Sequence, residues 1–320
     1  MSKLRTLSAA LFLAGMLPAG LCAFGVGDKG TSGASFLKVA PGARPAAMGE
    51  AFAGVADDVH AVYYNPAGLG FLKKVEITGM HESRFQGVNY DFAGLSVPLL
   101  SWVETTQERN AYGVMGVAVY SLTVAGIERR GTTETDTPTE TFGASDAAYA
   151  FSYAYALPDT GLSLGLTAKF IDSKIDSANA GSFASDAGVL YKAGPASLGA
   201  GVRNMGAAQK FHSEADPLPL TLFAGAGFKV KQRFLASVEA DFPRDNKVSM
   251  GVGGEYRQPF ADKLSAAARV GFNSKNTDPG GLSGVAWGFG VGYSNFDFDF
   301  AWVPFGDLGN AFKYSLVVKF

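Results

Sequence analysis

The feature that most constrains this chain is an alternation of apolar and polar residues with a period of two, which begins near residue 75 and continues to residue 320. In residues 296–302, for example, four aromatic side chains fall on one face of an extended strand and two carboxylates fall on the other. Similar segments recur between short stretches rich in glycine, proline, asparagine, aspartate and serine. This period is typical of β-strands that have one face in an apolar environment.

The length of these segments distinguishes a membrane barrel from a soluble sandwich, which also alternates. A strand tilted through a bilayer needs about 9 to 11 residues, whereas strands of soluble sheets most often have about five or six. We count about fourteen segments of membrane length, at 74–85, 87–99, 110–125, 142–157, 161–172, 181–193, 196–206, 217–230, 234–244, 247–258, 264–273, 284–294, 296–304 and 311–320. The sequence therefore predicts an all-β fold, a transmembrane antiparallel β-barrel of about 14 strands over residues 73–320.

The connections between the segments alternate in length, as they do in outer-membrane barrels. Short inner turns are predicted at 294–295, 259–263, 229–233, 194–195 and 158–161, and longer outer loops at 273–283, 206–216, 173–181 and 126–141. Two links fit less well, because 243–247 is short for an outer loop and 100–109 is long for an inner turn.

The last segment, AFKYSLVVKF, has an aromatic face and ends on Phe320. Lipid touches one side of every strand of such a barrel, and aromatic side chains suit the membrane–water interface. A closing strand that ends in phenylalanine also resembles the C-terminal signal that barrel-assembly machinery reads. We therefore expect outer-membrane lipid and the assembly machinery as partners, the latter through the strand of Phe320.

The first residues read as a secretory signal peptide. Lys3 and Arg5 form a basic region, an apolar stretch covers residues 7–17, and small residues lead to Ala23, where we expect cleavage. The apolar stretch is too short to cross about 30 Å of hydrocarbon. Residues 1–23 are thus assigned to the signal peptide, and the mature chain to the outer membrane of a Gram-negative-type (diderm) bacterium. A soluble periplasmic protein is the alternative.

The single cysteine, Cys22, lies at this boundary and is either discarded or becomes the acylated first residue of a lipoprotein. Leu21 before it fits a lipoprotein cleavage site poorly, which favours the first alternative. A mature chain without a thiol has no disulfide and no cysteine nucleophile. The net charge of −2 gives no electrostatic reason to expect nucleic acid as a partner.

Residues 24–72 break the alternation and predict two short helices. Pro45 fits the first turn of one helix, Asp57 or Asp58 is a candidate N-cap of a second, and Pro66 ends it. The apolar residues of this segment need a place to be buried, and the lumen of the barrel offers one. A fourteen-strand barrel lies between filled eight-strand barrels and open sixteen-strand pores, so a plug of this size fits.

Residues 30–70, GTSGASFLKVAPGARPAAMGEAFAGVADDVHAVYYNPAGLG, and residues 302–320, WVPFGDLGNAFKYSLVVKF, resemble the two terminal signatures of the PorV/PorQ proteins. These proteins are a branch of the FadL-like (fatty-acid transporter) superfamily. The resemblance implies a fourteen-stranded outer-membrane barrel whose N-terminal segment, residues 24–72, forms a hatch in the lumen. Asn65, Pro66 and Ala67, followed by Gly68, match the hatch motif of the family.

The functions within this family differ. Some members import hydrophobic compounds, and others belong to a secretion system that handles folded cargo. This chain is shorter than the secretion members and has modest outer loops, which argues against cargo docking. We expect passive uptake of hydrophobic, fatty-acid-like small molecules through a lumen gated by the hatch. The alternative is a non-transporting barrel that scaffolds or shuttles secretion-system proteins.

Two motifs match the consensus sequence of an enzyme site but lack the secondary structure that such a site requires. GVGDKG at 25–30 resembles a dinucleotide-binding fingerprint, but a signal peptide rather than a strand precedes it. GLSLG at 161–165 has the spelling of a nucleophile elbow, but Ser163 lies in an alternating strand. His60, His81 and His212 lack the spacing of metal ligands. We expect no enzyme activity, no metal and no cofactor.

Two features of the predicted lumen bear on ligands. The inward faces carry charges of both signs, which indicate either bracing ion pairs or a selectivity filter: Lys169, Glu239, Asp241, Glu255, Arg257, Arg269, Asp297, Asp299, Lys313 and Lys319. The strand at 112–124 is apolar on both faces, so its second face packs on the hatch or lines an apolar pocket. The predicted pocket residues are Met115, Val117 and Val119 with Phe52 and Tyr63 of the hatch.

Overall fold

The computed structural model describes residues 29–99, 112–133, 135–231, 233–276 and 282–320. The predicted signal peptide, Cys22, the first four residues of GVGDKG and the link at 100–109 lie outside these ranges. Within them, every helix is too short or too polar to span a membrane.

The described residues form sixteen strands. They are β1 (Glu76–Ser83), β2 (Val88–Pro98), β3 (Val114–Arg129), β4 (Glu140–Ala156), β5 (Leu162–Ile175), β6 (Ala178–Ala193), β7 (Ala196–Gly206), β8 (Gln209–Phe211), β9 (Glu214–Asp216), β10 (Thr221–Val230), β11 (Phe234–Pro243), β12 (Ser249–Ala261), β13 (Leu264–Asn273), β14 (Val285–Tyr293), β15 (Phe296–Pro304) and β16 (Asn310–Lys319). All except β8 and β9 pair with their neighbours into a closed antiparallel barrel. The predicted fourteen-strand barrel is confirmed.

The barrel closes between β1 and β16, where Glu76 lies opposite Lys319 and Glu82 opposite Lys313. Both pairs point inward, with N–O distances of 3.8 Å and 3.1 Å. The backbone nitrogen of Phe320 donates a hydrogen bond to the carbonyl of Val75 at 2.9 Å. Because closure leaves no unpaired strand edge, the wall satisfies the requirement that lipid imposes on backbone groups.

The two ends of the barrel differ. We call the end with the links 158–161, 194–195, 231–233, 262–263 and 294–295 the turn end, and the opposite end the loop end. The predicted loop at 173–181 is instead a two-residue turn, because β5 and β6 pair as far as Ile175 and Ala178. The predicted loop at 206–216 contains the hairpin of β8 and β9.

The pairing of β3 and β4 also extends into the predicted loop at 126–141, beyond a bulge after Val124. Arg129 forms ion pairs there with Glu140 and with Asp176. Opposite charges on neighbouring strands stabilise a sheet, so these ion pairs support the extended ends of the strands. Strands β3 to β6 form the longest part of the wall.

In the last strand the alternation places apolar side chains outside and polar ones inside. Phe312, Tyr314 and Leu316 of the last strand are 39%, 43% and 43% exposed on the outer face, whereas Lys313 and Ser315 between them are buried. This distribution is that of a barrel with lipid outside and a polar interior.

The hatch lies inside the barrel. It contains a 3-10 turn (Ser35–Lys38), helix α1 (Ala43–Ala47), helix α2 (Ala61–Tyr64) and a second 3-10 turn (Pro66–Phe71). Pro45 lies in α1 and Pro66 follows α2, as predicted. Helix α2 itself begins after His60, later than predicted. Asp58 caps the turn that leads into it, because its Oδ1 atom accepts a hydrogen bond from the His60 nitrogen at 2.9 Å. The large side chains of Met48, Phe52 and Leu69 are fully buried.

Candidate functional site

The hatch touches the barrel where inward-facing strand positions are glycine. A Cβ atom at Gly165 of β5 would overlap the backbone of Pro66 and Ala67, and one at Gly188 of β6 would overlap the side chain of Asn65. Glycine lets two backbones approach closely. The hatch motif therefore lies directly against the wall of β5 and β6.

Asn65 is fully buried and connects three parts of the molecule. Its Nδ2 atom donates hydrogen bonds to the carbonyls of Ala53 at 3.0 Å and of Val189 in β6 at 3.1 Å. Its Oδ1 atom accepts one from the nitrogen of Ala67 at 3.2 Å. Asn65 therefore links two parts of the hatch to each other and to β6 of the barrel.

One side of the lumen, which we call the apolar wall, consists of the inward faces of β2 to β6. Its buried apolar residues include Tyr90, Phe92, Val114, Ala118, Tyr120, Ala148, Ala150, Ala154, Ile171 and Leu190. They pack in one cluster with hatch residues such as Val62, Tyr63 and Leu69. A buried ion pair, Lys169–Asp186 at 2.6 Å, interrupts this wall near the bulge between β6 and β7.

The structure does not form the predicted apolar pocket, because the side chains of β3 that are predicted to line it point outward. Val117 and Val119 are 43% and 40% exposed on the outer face. Met115 shares that face, because it lies opposite Tyr153 in the same register. Phe52 and Tyr63 lie inside, so the five residues do not meet. The inward, hatch-packing face is the other one, which includes Val114 and Tyr120.

The opposite side of the lumen, the charged wall, consists of the inward charges of β7, of β11 to β16 and of β1. Those of the predicted charges that belong to it form ion pairs with other charges of this wall or with the hatch. The pairs include Arg269–Asp299 at 2.7 Å, Arg257–Asp297 at 3.2 Å, Lys319–Asp297 at 3.3 Å and Arg203–Glu239 at 2.8 Å. The geometry fits bracing ion pairs.

Arg44 of α1 meets the charged wall through its side chain. Its guanidinium contacts Asp57 at 2.6 Å, Asp58 at 2.9 Å and Glu255 of β12 at 2.9 Å. Burial alone would raise the pKa of Asp57, but the charge of Arg44 holds this pKa below its ordinary value. Both hatch carboxylates beside Arg44 are therefore ionised at neutral pH, since the pKa of Asp58 is also lowered.

Glu239 of β11 binds the hatch backbone directly. One carboxylate oxygen accepts hydrogen bonds from the nitrogens of Phe52 at 2.8 Å and Ala53 at 2.7 Å, and the other accepts one from Arg203. A charged acceptor strengthens such bonds. The middle of the hatch is thereby held against the charged wall as Asn65 holds it against β6.

A cavity of about 440 Å³ lies above the hatch at the loop end. Its apolar lining includes Leu37, Tyr63, Tyr64, Pro243 and Val248, and its charged lining is Lys29, Lys38, Glu50, Arg203, Asp241, Lys247 and Lys275. Five of these charges are positive and two are negative. Within the described part of the chain, Lys29 and Lys247 have no ion-pair partner. We call this space the loop-end cavity.

The floor of the loop-end cavity is formed by two tyrosines of the hatch. The hydroxyl of Tyr63 donates to the carbonyl of Leu37 at 3.0 Å, and that of Tyr64 to the carbonyl of Pro41 at 3.1 Å. Their rings meet edge to face at 5.0 Å, and Tyr64 meets Phe52 at 5.4 Å. These rings close the bore below the cavity.

Sequence reasoning named Tyr63 as a pocket residue and Asp241 as a lumen charge, but it missed the rest of this lining. The cations come from the hatch, from β7 and from two links between strands. Isolated lysines in loops carry no signal of their own, so only the fold brings them together. A smaller cavity of about 170 Å³ lies at the turn end.

The residues considered for catalysis lie apart from both cavities. Ser163 is buried in β5 and donates to the carbonyl of Tyr155 at 3.1 Å, not at a turn between a strand and a helix. His60 contacts Asp58 at 2.9 Å, and His81 contacts Asp91 on the outer face at 2.7 Å. Among the described residues, histidine, cysteine, aspartate and glutamate form no group of three that fits a metal ion.

Comparison with known proteins adds a family and a fold. The model of UPF0164, described as an uncharacterised protein family, matches residues 26–192, a little over half of the chain. No curated protein matches the chain significantly.

Among solved structures, the toluene transporter TodX of Pseudomonas putida is similar with a TM-score of 0.55 at 12% identity, over 85% of this chain and 96% of that one. A FadL homologue of Pseudomonas aeruginosa is similar with a TM-score of 0.52 at 13% identity, over 86% and 97%. At these identities the likeness concerns the fold, which is that of FadL-like outer-membrane barrels.

Proposed function

We propose, from the premise that this chain belongs to the UPF0164 family, that it is a passive outer-membrane channel for hydrophobic, fatty-acid-like small molecules. The molecule enters at the loop end, rests in the loop-end cavity and leaves when the hatch shifts. The FadL-like fold supports this proposal, since one barrel of this fold is named a toluene transporter. The fold also supports an outer-membrane location, and the predicted signal peptide fits it.

The observation that carries the proposal is the composition of the loop-end cavity. Tyrosine rings, Leu37 and Val248 offer apolar surface, and the surplus of positive charge offers partners for a carboxylate. Ligand sites of small molecules commonly combine apolar walls with a few placed polar groups. A molecule with an apolar body and an acidic end satisfies both parts of this lining.

Passage requires the hatch to move, because its aromatic residues close the bore. The middle of the hatch is held by non-covalent contacts to Glu239 and by the close approach of Gly54 to Gly225 of β10. Such contacts can be released without breaking the barrel. We therefore place the gate at residues 48–54, between the two walls.

A disulfide that locks the gate tests the proposal. A Cβ atom at Gly225 would lie 3.6 Å from the Cβ of Ala53, a separation that suits a disulfide, and the predicted mature chain has no other cysteine. This new Cβ would lie 2.9 Å from the Gly54 nitrogen, so the hatch backbone must shift slightly. The variant Ala53→Cys/Gly225→Cys is reconstituted in liposomes for uptake of a labelled fatty acid.

We expect the oxidised variant to lose uptake and the reduced variant to recover it. The reduced protein controls for the strain at position 225, and the wild-type barrel under both redox conditions controls for the reagents. Equal uptake by the oxidised and reduced forms would contradict the proposed gate at residues 48–54. Absence of saturable fatty-acid uptake by the wild type would contradict the proposed function.

A second candidate is a non-transporting barrel of the PorV/PorQ type that scaffolds or shuttles secretion-system proteins. The sealed lumen favours it, because one glycine in each of β5, β6, β7 and β12 meets the hatch backbone or Asn65 without a gap: Gly165, Gly188, Gly199 and Gly253. Crosslinking in intact outer membranes followed by purification separates the two. Stoichiometric protein partners support the scaffold, and a barrel recovered alone supports the channel.

A further inference from the structure

The turn end of the barrel contains a second cavity with a surplus of positive charge. Its volume is about 170 Å³, and it lies between Asp57 of the hatch, the turn after β10 and the ends of β12, β15 and β16. Five cationic side chains line it, namely Arg44, Lys229, Arg233, Arg257 and Lys319. Three carboxylates, those of Asp57, Glu255 and Asp297, face them.

The three carboxylates are already engaged by the deeper cations. Glu255 accepts from Arg44 at 2.9 Å and from Arg269 at 2.6 Å. Asp297 pairs with Arg257 at 3.2 Å and with Lys319 at 3.3 Å. Little acceptor capacity therefore remains for the cations at the rim of the cavity.

Two rim cations are incompletely neutralised. Among the carboxylates that the structure describes, Lys229 reaches only Asp57, at 3.6 Å, and this carboxylate is held more closely by Arg44 at 2.6 Å. Arg233 donates to the side-chain oxygen of Gln258 at 3.3 Å and has no carboxylate partner within the described residues. A cationic site with free donors attracts an anion, and guanidinium and ammonium groups are the usual protein partners of phosphate.

A neighbouring cavity of about 110 Å³ continues this space along the mouth of the barrel. It shares Asp57, Lys229 and Leu235 with the first cavity, and adds Val55 of the hatch and Lys192. Lys192 lies over the ring of Phe71 at 4.2 Å. The combined space thus has a cationic part beside an apolar floor.

We propose that this turn-end site binds a small molecule that bears a phosphate or carboxylate group. The anion lies between Lys229 and Arg233, and any apolar part lies against Val55 and Leu235. The first cavity has room for roughly five to six water molecules at about 30 Å³ each, which limits the ligand to a phosphate or a small organic acid or ester. Both a free solute and the headgroup of an anionic lipid have this chemistry.

This site is separate from the loop-end cavity, since the hatch lies between them and no lining residue is shared. The inference does not depend on transport, because binding at the turn end is measurable on a barrel that transports nothing.

Binding to the purified barrel in detergent tests the proposal. The probes are inorganic phosphate, glycerol phosphate and short-chain phosphatidylglycerol, each titrated by calorimetry. The variants are Lys229→Gln and Arg233→Gln, with Lys263→Gln as the matched control, because Lys263 is an exposed cation of the turn end that lines neither cavity. Arg233→Lys tests whether the charge alone suffices.

We expect saturable binding that weakens roughly tenfold or more in each glutamine variant, the loss that follows when one charge-assisted hydrogen bond is removed. The Lys263→Gln barrel should bind as the wild type does, and Arg233→Lys should retain part of the affinity. Binding of the two soluble phosphates supports a solute as the source, and binding of phosphatidylglycerol alone, with the same dependence on Lys229 and Arg233, supports a lipid headgroup. Absence of binding by all three probes, or equal losses in Lys263→Gln, overturns the proposal.

Discussion

The apolar wall and the charged wall hold the same hatch by different physical means. Glycines admit the hatch backbone on both walls, but on the apolar wall side chains such as Tyr120 also pack on Tyr63 of the hatch. On the charged wall, Arg44 and Glu239 bind the hatch through ion pairs and charged hydrogen bonds. Packing contacts are many and weak, whereas buried ionic contacts are few and strongly directional. The comparison teaches that single substitutions should act differently on the two walls.

The largest effect is expected on the charged wall, at Arg44. Replacing Arg44→Met keeps much of the side-chain volume but leaves Asp57, Asp58 and Glu255 without their shared partner. Breaking a buried ion pair by removing one partner costs about 3–5 kcal/mol. We expect a loss of this size in the free energy of unfolding, measured by urea titration of the barrel in detergent.

The matched control is Arg129→Met at the loop end, where Arg129 pairs with Glu140 and Asp176 near the surface. Exposed ion pairs contribute about 0–1 kcal/mol. If both variants lost the same free energy, the ionic contacts of the charged wall would not differ from those at the surface.

The second effect is expected on the apolar wall, at Gly165. An added methyl group in Gly165→Ala would overlap the backbone of Pro66 and Ala67, so the hatch motif must shift. Overpacking of this kind costs about 1–3 kcal/mol. The same urea titration measures it, with Gly79→Ala as the control, because a Cβ at Gly79 meets nothing within 4 Å. A neutral Gly165→Ala would show that the hatch is not packed tightly on β5.

The number of strands and the direction of most faces could be predicted because alternation is a local property. Residues 296–302 or 311–320 show their inner and outer faces without any knowledge of the neighbouring strands. The strand around Val117 is the instructive failure, since both of its faces are apolar and the period alone does not say which one meets lipid. The structure resolves this through the aromatic neighbours Phe151 and Tyr149 on the outer face.

The contacts of the candidate sites could not be predicted, because they join distant parts of the chain. Asn65 and Val189 are 124 residues apart, and Arg44 and Glu255 are 211 apart. A glycine such as Gly188 is also ambiguous in sequence, since it fits a bulge, a bend or a close approach equally well. Only the closed barrel shows that it faces the hatch.

The third-largest effect on the free energy of unfolding is expected at Tyr64, a hatch residue whose hydroxyl has a hydrogen-bond partner. Tyr64→Phe removes the hydroxyl that donates to the carbonyl of Pro41 at 3.1 Å, while the edge-to-face contacts of the ring remain. A hydrogen bond of this kind contributes about 0.5–1.5 kcal/mol. We expect a loss in this range by urea titration, and a larger loss would mean that the floor of the loop-end cavity had reorganised.

The smallest effect should come from Tyr120 of the apolar wall, and its sign is informative. The Tyr120 hydroxyl is buried and has no hydrogen-bond partner in the described structure, although its ring packs on Phe92 at 5.2 Å. A buried polar group without a partner costs free energy, and replacing it by an apolar group of the same shape is nearly neutral or stabilising. Tyr120→Phe should therefore leave the urea midpoint unchanged or raise it, whereas Tyr64→Phe lowers it. If Tyr120→Phe were instead as destabilising as Tyr64→Phe, the Tyr120 hydroxyl would have a hydrogen-bond partner in the folded barrel, and polar contacts would contribute more to the apolar wall than the hydrogen bond from Asn65 to Val189.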